Sequence, residues 1–271
     1  MQVSILSIIF MIISAFISIG LPIFLFVIIH KKYNGKILPL IFGIIGFILF
    51  VLILEKSIHL IVLNKFMLKE KPFLFILYGI FMAGIFEESA RFISFNILKK
   101  KISNIGAGFY YGIGHGGIES ILIVGLTMIN NIIFSIIINS GGLDSILAAI
   151  TSNIETAEKL EQVANQVNTL IITAPYMFFI GGIERIFAIG IQMSLSIIVY
   201  YSVFGKNKIW LYPLAVIFHA IVDIPAAAMQ AGVLKNVFLV EGFVLLGSIL
   251  LILFTKYLHD KLNYEQTPSK N

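Results

Sequence analysis

Cysteine is absent from the 271 residues, which excludes disulfides, thiol redox chemistry and thiolate metal sites. Any metal must therefore be held by His, Asp or Glu. Charge is scarce as well: 12% of residues are charged against 59% hydrophobic, and the mean hydropathy of +1.00 excludes an ordinary soluble domain. Familiar catalytic signatures are missing too. There is no His-Glu-x-x-His zincin motif, no Gly-x-Ser-x-Gly nucleophile elbow and no phosphate-binding P-loop. No soluble domain or internal repeat stands out, and the first apolar run lacks a basic leader and a small-residue cleavage site. That run is also too long for a signal-peptide core, so it reads as a retained helix.

What is present is a series of apolar runs near 3–29, 37–63, 73–98, 106–138, 171–204, 209–231 and 237–258. Each is long enough to cross a hydrocarbon core of roughly 30 Å, which needs about 20 helical residues. The expected fold is an all-α, polytopic bundle of seven spans in one integral membrane domain, 1–271, most simply in a bacterial cell membrane. The formal charge of +5 does not indicate nucleic acid, because the lysines are spread over short loops. Lys31, Lys32, Lys36, Lys99, Lys100, Lys101, Lys206 and Lys208 fall on alternate loops, and Lys256, Lys261 and Lys270 follow the last span. By the positive-inside rule these loops are cytoplasmic, with the N-terminus outside and the C-terminus inside. Lys65, Lys69 and Lys71 lie on the opposite side. Residues 139–170 carry Leu143, Ile146, Leu147, Ile150, Ile154, Ala157, Leu160, Ala164 and Val167 at helical spacing, with Asp144, Glu155, Glu158 and Glu161 among them. An amphipathic extracytoplasmic connector is expected there, and a frayed polar tail over 263–271.

Against this apolar background the buried polar residues stand out. Glu87 and Glu88 lie about ten residues inside the Lys99-Lys100-Lys101 end of their span, where a carboxylate costs roughly 2.5 to 3.5 kcal/mol to insert. Such groups face a protein interior or a wet cavity. Arg91, four residues from Glu87 and three from Glu88, is within helical reach of either. The fourth span reads Gly112-Ile113-Gly114-His115-Gly116-Gly117-Ile118-Glu119 and the sixth His219-Ala220-Ile221-Val222-Asp223, each placing a carboxylate one turn beyond a histidine. Gly108, Gly112 and Gly116 allow a neighbouring helix to approach closely. Counted from the basic ends, Glu88, His115, Gln192 and His219 are each about nine to twelve residues in, roughly 14 to 18 Å at 1.5 Å per residue, so four spans put polar groups in one plane. Glu55, Lys56, Glu184 and Arg185 form a second layer, where ion pairs between the helices, or a grip on an extended substrate, are expected. His59 is nearer the outer surface and reads as an interfacial residue.

Two histidines with several carboxylates suit zinc with an open position for water. A glutamate can take that water's proton while the metal polarises a peptide carbonyl. Intramembrane acids and histidines also build ion or proton pathways, so a transporter component is the alternative, as is a non-catalytic scaffold or immunity protein on a protease fold. No matched pair of broken helices supports transport, although Pro175 and Pro225 are suitably placed.

At these residues the chain resembles the YhfC family of intramembrane metalloproteases, related to the CAAX-processing (Abi) and PrsW membrane proteases. Glu87-Glu88-x-x-Arg91 is similar to the first family motif, Gly114-His115-Gly116-Gly117-x-Glu119 to the second, Glu184-Arg185 to a third and His219-x-x-x-Asp223 to the last. The resemblance implies hydrolysis of a peptide bond of a membrane protein or peptide inside the bilayer. It implies that Glu87 or Glu88 activates water, with zinc or by a glutamate alone, and that His115 and His219 bind or polarise around it. The residues expected in the catalytic group are Glu87, Glu88, Arg91 and Glu119, and the expected ligands of a zinc ion are His115, His219, Asp223 and Glu88. The resemblance also implies a histidine after the Glu-Arg pair, where this chain has Gln192, a poor zinc ligand.

Overall fold

The computed structural model describes residues 2–102, 104–142 and 157–266. Helices dominate, and no strand occurs among the described residues. Among the described residues, seven helices are long and apolar enough to cross a membrane: α1 (Ile5–Tyr33), α2 (Leu38–Lys65), α3 (Pro72–Leu98), α4 (Gly106–Asn139), α6 (Pro175–Phe204), α7 (Leu211–Gln230) and α8 (Val237–Gln266). The shorter α5 (Ala157–Ile172) precedes α6. The all-α fold and its seven spans follow the hydropathy pattern because a helix satisfies its own backbone groups where no water is available.

Local chemistry sets the ends. Proline occupies the first turn of α2, α3 and α6 (Pro39, Pro72, Pro175), where its missing N–H breaks no helical bond. Chain reversals after α1, α4, α6 and α7 use left-handed residues: Asn34 (φ 42°), Gly141 (φ 79°), Asn207 (φ 55°) and Gly232 (φ 73°). Two spans are not uniform. Phe47–Glu55 within α2 and Ile121–Gly125 within α4 are wound as wider π-helix.

The chain divides into two compact units. In the first, Met1–Leu21 and Ser120–Ile186, a core of Val3, Met11, Ile138, Val167, Leu170 and Phe178 joins the described elements. Asn139 accepts from the Val3 N–H at 2.7 Å and donates to the Val3 carbonyl at 2.9 Å, capping the start of α1. α5 buries Val167, as expected from the sequence, and Leu170, and it half-buries Val163 where the expected Ala164 is exposed. The remaining connector residues, 143–156, and the tail from 267 lie outside the described residues.

The second unit, Pro22–Glu119 and Phe187–Asn271, contains α2, α3, α7 and α8. Its core includes Phe95, Tyr111, Leu195, Ile198, Val199, Leu211 and Ala215, each with no exposed surface. Glycine brings its helices together. A Cβ on Gly84 of α3 would lie 2.9 Å from the Val216 carbonyl of α7, and one on Gly112 of α4 would lie 2.5 Å from Met193 Cα of α6. These are backbone-to-backbone approaches that only glycine permits.

Candidate active site

α3 supplies the centre. Glu87 and Glu88 are adjacent, so they leave the helix in different directions, and both are buried, at 7% and 0% exposure. Arg91, also 0% exposed, folds back along the helix and satisfies both. Its guanidinium donates to Glu88 Oε1 at 2.6 Å and to Glu87 Oε2 at 3.5 Å. Its Nε donates to Ser196 Oγ at 3.1 Å, and a further N–H meets Gln192 Oε1. A buried guanidinium is tolerable only when nearly all its donors are used, as here.

α4 supplies the imidazole. His115 is fully buried, with Nε2 2.8 Å from Glu87 Oε2. Its ring lies edge-on to Phe47 at 5.3 Å and stacks on Tyr111, one turn earlier, at 6.1 Å. The Gly108, Gly112 and Gly116 stripe faces α6, meeting Ile197, Met193 and Gln192 in turn. A Cβ on Gly116 would sit 2.8 Å from Gln192 Cβ, and this approach lets the Gln192 amide enter the site. From there Nε2 donates to Glu87 Oε2 at 3.0 Å and to Glu119 Oε2 at 2.8 Å.

α7 closes the group. His219 Nδ1 is 2.7 Å from Glu88 Oε1, while its Nε2 is 3.4 Å from Asp223 Oδ2 and 3.8 Å from Glu87 Oε1. The Asp223 side chain, 36% exposed, and the half-buried Glu119 are the accessible parts of the cluster. Ser89 and Tyr212 add a 2.8 Å bond between α3 and α7.

Ligand atoms of Glu87, His115 and Glu119 all lie within 4.8 Å of one another. A nitrogen and two carboxylate oxygens are donors that zinc accepts, and three protein ligands is the usual number where a fourth position serves water or substrate. Both carboxylates already converge on one positive donor, the Gln192 amide, as they would on a cation. His115 Nδ1 and Glu88 Oε2 are buried and have no hydrogen-bond partner among the described residues. The residues therefore fit a divalent metal. This ligand group shares His115 with the set expected from the sequence, but otherwise consists of Glu87 and Glu119. Glu88, His219 and Asp223 stand directly beside it.

The structure thus gathers Glu87, Glu88, Arg91, His115, Glu119, Gln192, His219 and Asp223 within one unit. Glu184 and Arg185 belong to the other unit, where they pair with each other. Glu55 likewise bonds within its own helix, to His59 Nε2 at 3.1 Å, and His59 Nδ1 is 2.8 Å from Tyr78 of α3. His59 is therefore engaged between two spans, a role its distance from the outer end of the helix did not suggest. Sequence reasoning passed over Ser196 and Tyr111. Each lies one turn from a residue it did single out, Gln192 and His115, so a search at i ± 4 would have found both.

A family model described as YhfC intramembrane metalloprotease matches residues 17–244. The uncharacterized membrane protein YhfC of Bacillus subtilis (strain 168) is 34% identical over 244 residues, covering 89% of this chain and 92% of that protein. No solved structure matches. With seven apolar spans and a membrane protein as its relative, the chain is an integral membrane protein.

Proposed function

The chain belongs to the YhfC intramembrane metalloprotease family, and we propose that it hydrolyses a peptide bond of a membrane protein or peptide within the bilayer. The observation that carries this reading is the convergence of Glu87, His115 and Glu119 from two spans, with Glu88, next to Glu87 in the chain, keeping a buried and unpartnered Oε2. Glu87, His115 and Glu119 would hold zinc. Bound there, zinc supplies a Lewis acid that polarises the peptide carbonyl and acidifies water.

Glu88 is the base. Its Oε1 accepts from both Arg91 and His219, which fixes the carboxylate and leaves Oε2 for the water. Oε2 takes a proton as the water oxygen bonds to the carbonyl carbon, then delivers that proton to the amide nitrogen as the C–N bond breaks. The elements of water are thereby divided between the new carboxyl and amino ends. Arg91 touches no substrate and acts by positioning Glu88. Gln192 holds Glu87 and Glu119 at a fixed separation, in the place where the resemblance implies histidine. Asp223 marks the side by which water enters. By the lysine distribution, the loops after α1, α3 and α6 face the cytoplasm.

Two measurements test this. Metal analysis of the detergent-purified protein is expected to find about one zinc per chain in wild type and in Glu88→Gln, and little in His115→Ala, since three protein ligands are needed. Sequencing of new N-termini in membranes of cells expressing either form is expected to find cuts within apolar segments for wild type. Loss of a general base costs about 10²- to 10⁴-fold, so Glu88→Gln is expected to lose those cuts. Cuts that persist in Glu88→Gln, or zinc that persists in His115→Ala, would overturn the assignment.

A further inference from the structure

A polar cavity lies at the basic end of the second unit, lined by none of the carboxylates. It has a volume of about 190 Å³ and is formed between the α1–α2 and α3–α4 connections. Asn34, Lys36, Lys101 and Asn104 are among the residues around it, and Tyr110 lies beneath. Its floor is built. The fully buried Tyr110 hydroxyl is 2.8 Å from His30 Nδ1 and accepts the Gly35 N–H at 3.2 Å. A Cβ on Gly35 would lie 2.8 Å from the Tyr110 ring, so only glycine lets the loop sit down on it. Lys36 Nζ donates to the Lys101 carbonyl at 2.9 Å, joining the two connections and leaving two of its three ammonium protons available.

The two connections carry charge of one sign. Lys31, Lys32, Lys99 and Lys100 flank the cavity, and no Asp or Glu occurs anywhere from Lys31 to Leu54 or from Ser89 to Ile118. Exposed apolar side chains lie close in sequence to its lining residues: Ile37 and Ile41, next to Lys36 and Pro39, are each 45% exposed, and Ile97, near the end of α3, is 59% exposed. We propose that this cavity binds the phosphate of an anionic phospholipid headgroup, with Lys36 and Lys101 on the phosphate and the acyl chains running down past these isoleucines. The chemistry recognised is a phosphate-bearing anion. The lipid is favoured over free phosphate because lysines, the ends of four spans and an apolar wall coincide. This inference goes beyond the proteolytic reading and does not depend on it.

The test uses the full chain in detergent and native mass spectrometry with phosphatidylglycerol, phosphatidylcholine and inorganic phosphate as probes. Wild type is expected to retain phosphatidylglycerol in preference to phosphatidylcholine. Juxtamembrane lysines each contribute about fivefold to anionic-lipid affinity, so Lys36→Gln/Lys101→Gln is expected to weaken retention roughly 25-fold. Lys65→Gln/Lys69→Gln at the other end of the spans is expected to change it little. Equal loss in both double variants would mean diffuse charge and overturn the proposal, as would equal retention of the two lipids. Displacement by millimolar inorganic phosphate would make free phosphate the ligand and overturn the lipid assignment. A second measurement needs no variant: phosphatidylglycerol carrying a photoreactive headgroup is expected to label peptides covering 31–39 and 99–110 in wild type. Labelling confined elsewhere would overturn the proposal.

Discussion

Replacing Arg91 is the sharpest perturbation available, because so many buried groups depend on it. In Arg91→Met the side chain keeps its approximate length but loses every donor. Glu88, with no exposed surface, then retains only His219 as a partner, and Glu87, Gln192 and Ser196 each lose a bond. Removing one member of a buried ion pair typically costs about 3 to 5 kcal/mol, because the remaining charge is left in a low dielectric. At about 2 to 4 °C per kcal/mol for a chain of this size, the melting temperature in detergent is expected to fall by roughly 6 to 20 °C. The informative comparison is the double variant Glu88→Gln/Arg91→Met. It removes the uncompensated carboxylate together with its partner, so it is expected to regain a substantial part of the loss, with a coupling of about 1 to 3 kcal/mol. Thermal unfolding followed by intrinsic fluorescence measures all four corners of this cycle. A single variant as stable as wild type, or a double variant no more stable than Arg91→Met, would refute the view that Arg91 neutralises Glu88.

Two further outcomes follow from the same geometry. Gly112→Ala drives a Cβ to 2.5 Å from Met193 Cα, which is backbone and cannot swing away. The overpacking is expected to cost about 1 to 3 kcal/mol in thermal unfolding, whereas Gly79→Ala, with nothing within 4 Å of the added carbon, is expected to be neutral or slightly stabilising. Gln192→Ala removes the donor shared by Glu87 and Glu119, and zinc affinity measured by chelator competition is expected to weaken about 10- to 100-fold, the usual effect of losing a group that orients metal ligands. Unchanged affinity would show that the two carboxylates hold their separation without it.

Much of the architecture was legible in the sequence for a simple reason. Lipid forces a helix to carry its own hydrogen bonds, so an apolar run has one structural outcome and its length states whether it spans. The approximate limits of the spans were marked in the same way, by the ends of the apolar runs. The π-wound stretches in α2 and α4 were not, because Phe47–Glu55 and Ile121–Gly125 are apolar runs whose composition suits either winding. The connector's stripe keeps Val167 but takes Val163 in place of Ala164, which as an alanine contributes little area.

The candidate site was legible to a different depth. Insertion cost predicts that Glu87, Glu88, Arg91, His115 and His219 must find one another or water, and counting along each helix puts them at one level. Neither argument reveals how the partners are shared. Arg91 can reach both glutamates, at i+4 from Glu87 and i+3 from Glu88, yet its 2.6 Å bond goes to Glu88, while Glu87 turns to His115 and Gln192. That division depends on the angle between helices, which the backbone approaches at Gly84, Gly112 and Gly116 determine. The glycines therefore decide the chemistry as much as the charged residues do. They bring α4 against α6 closely enough for Gln192 to occupy Glu87 and Glu119 together, and they bring α7 against α3 so that His219 reaches Glu88. One oxygen of Glu88 is consequently held by two donors and the other by none, an asymmetry set by packing and available to a bound water.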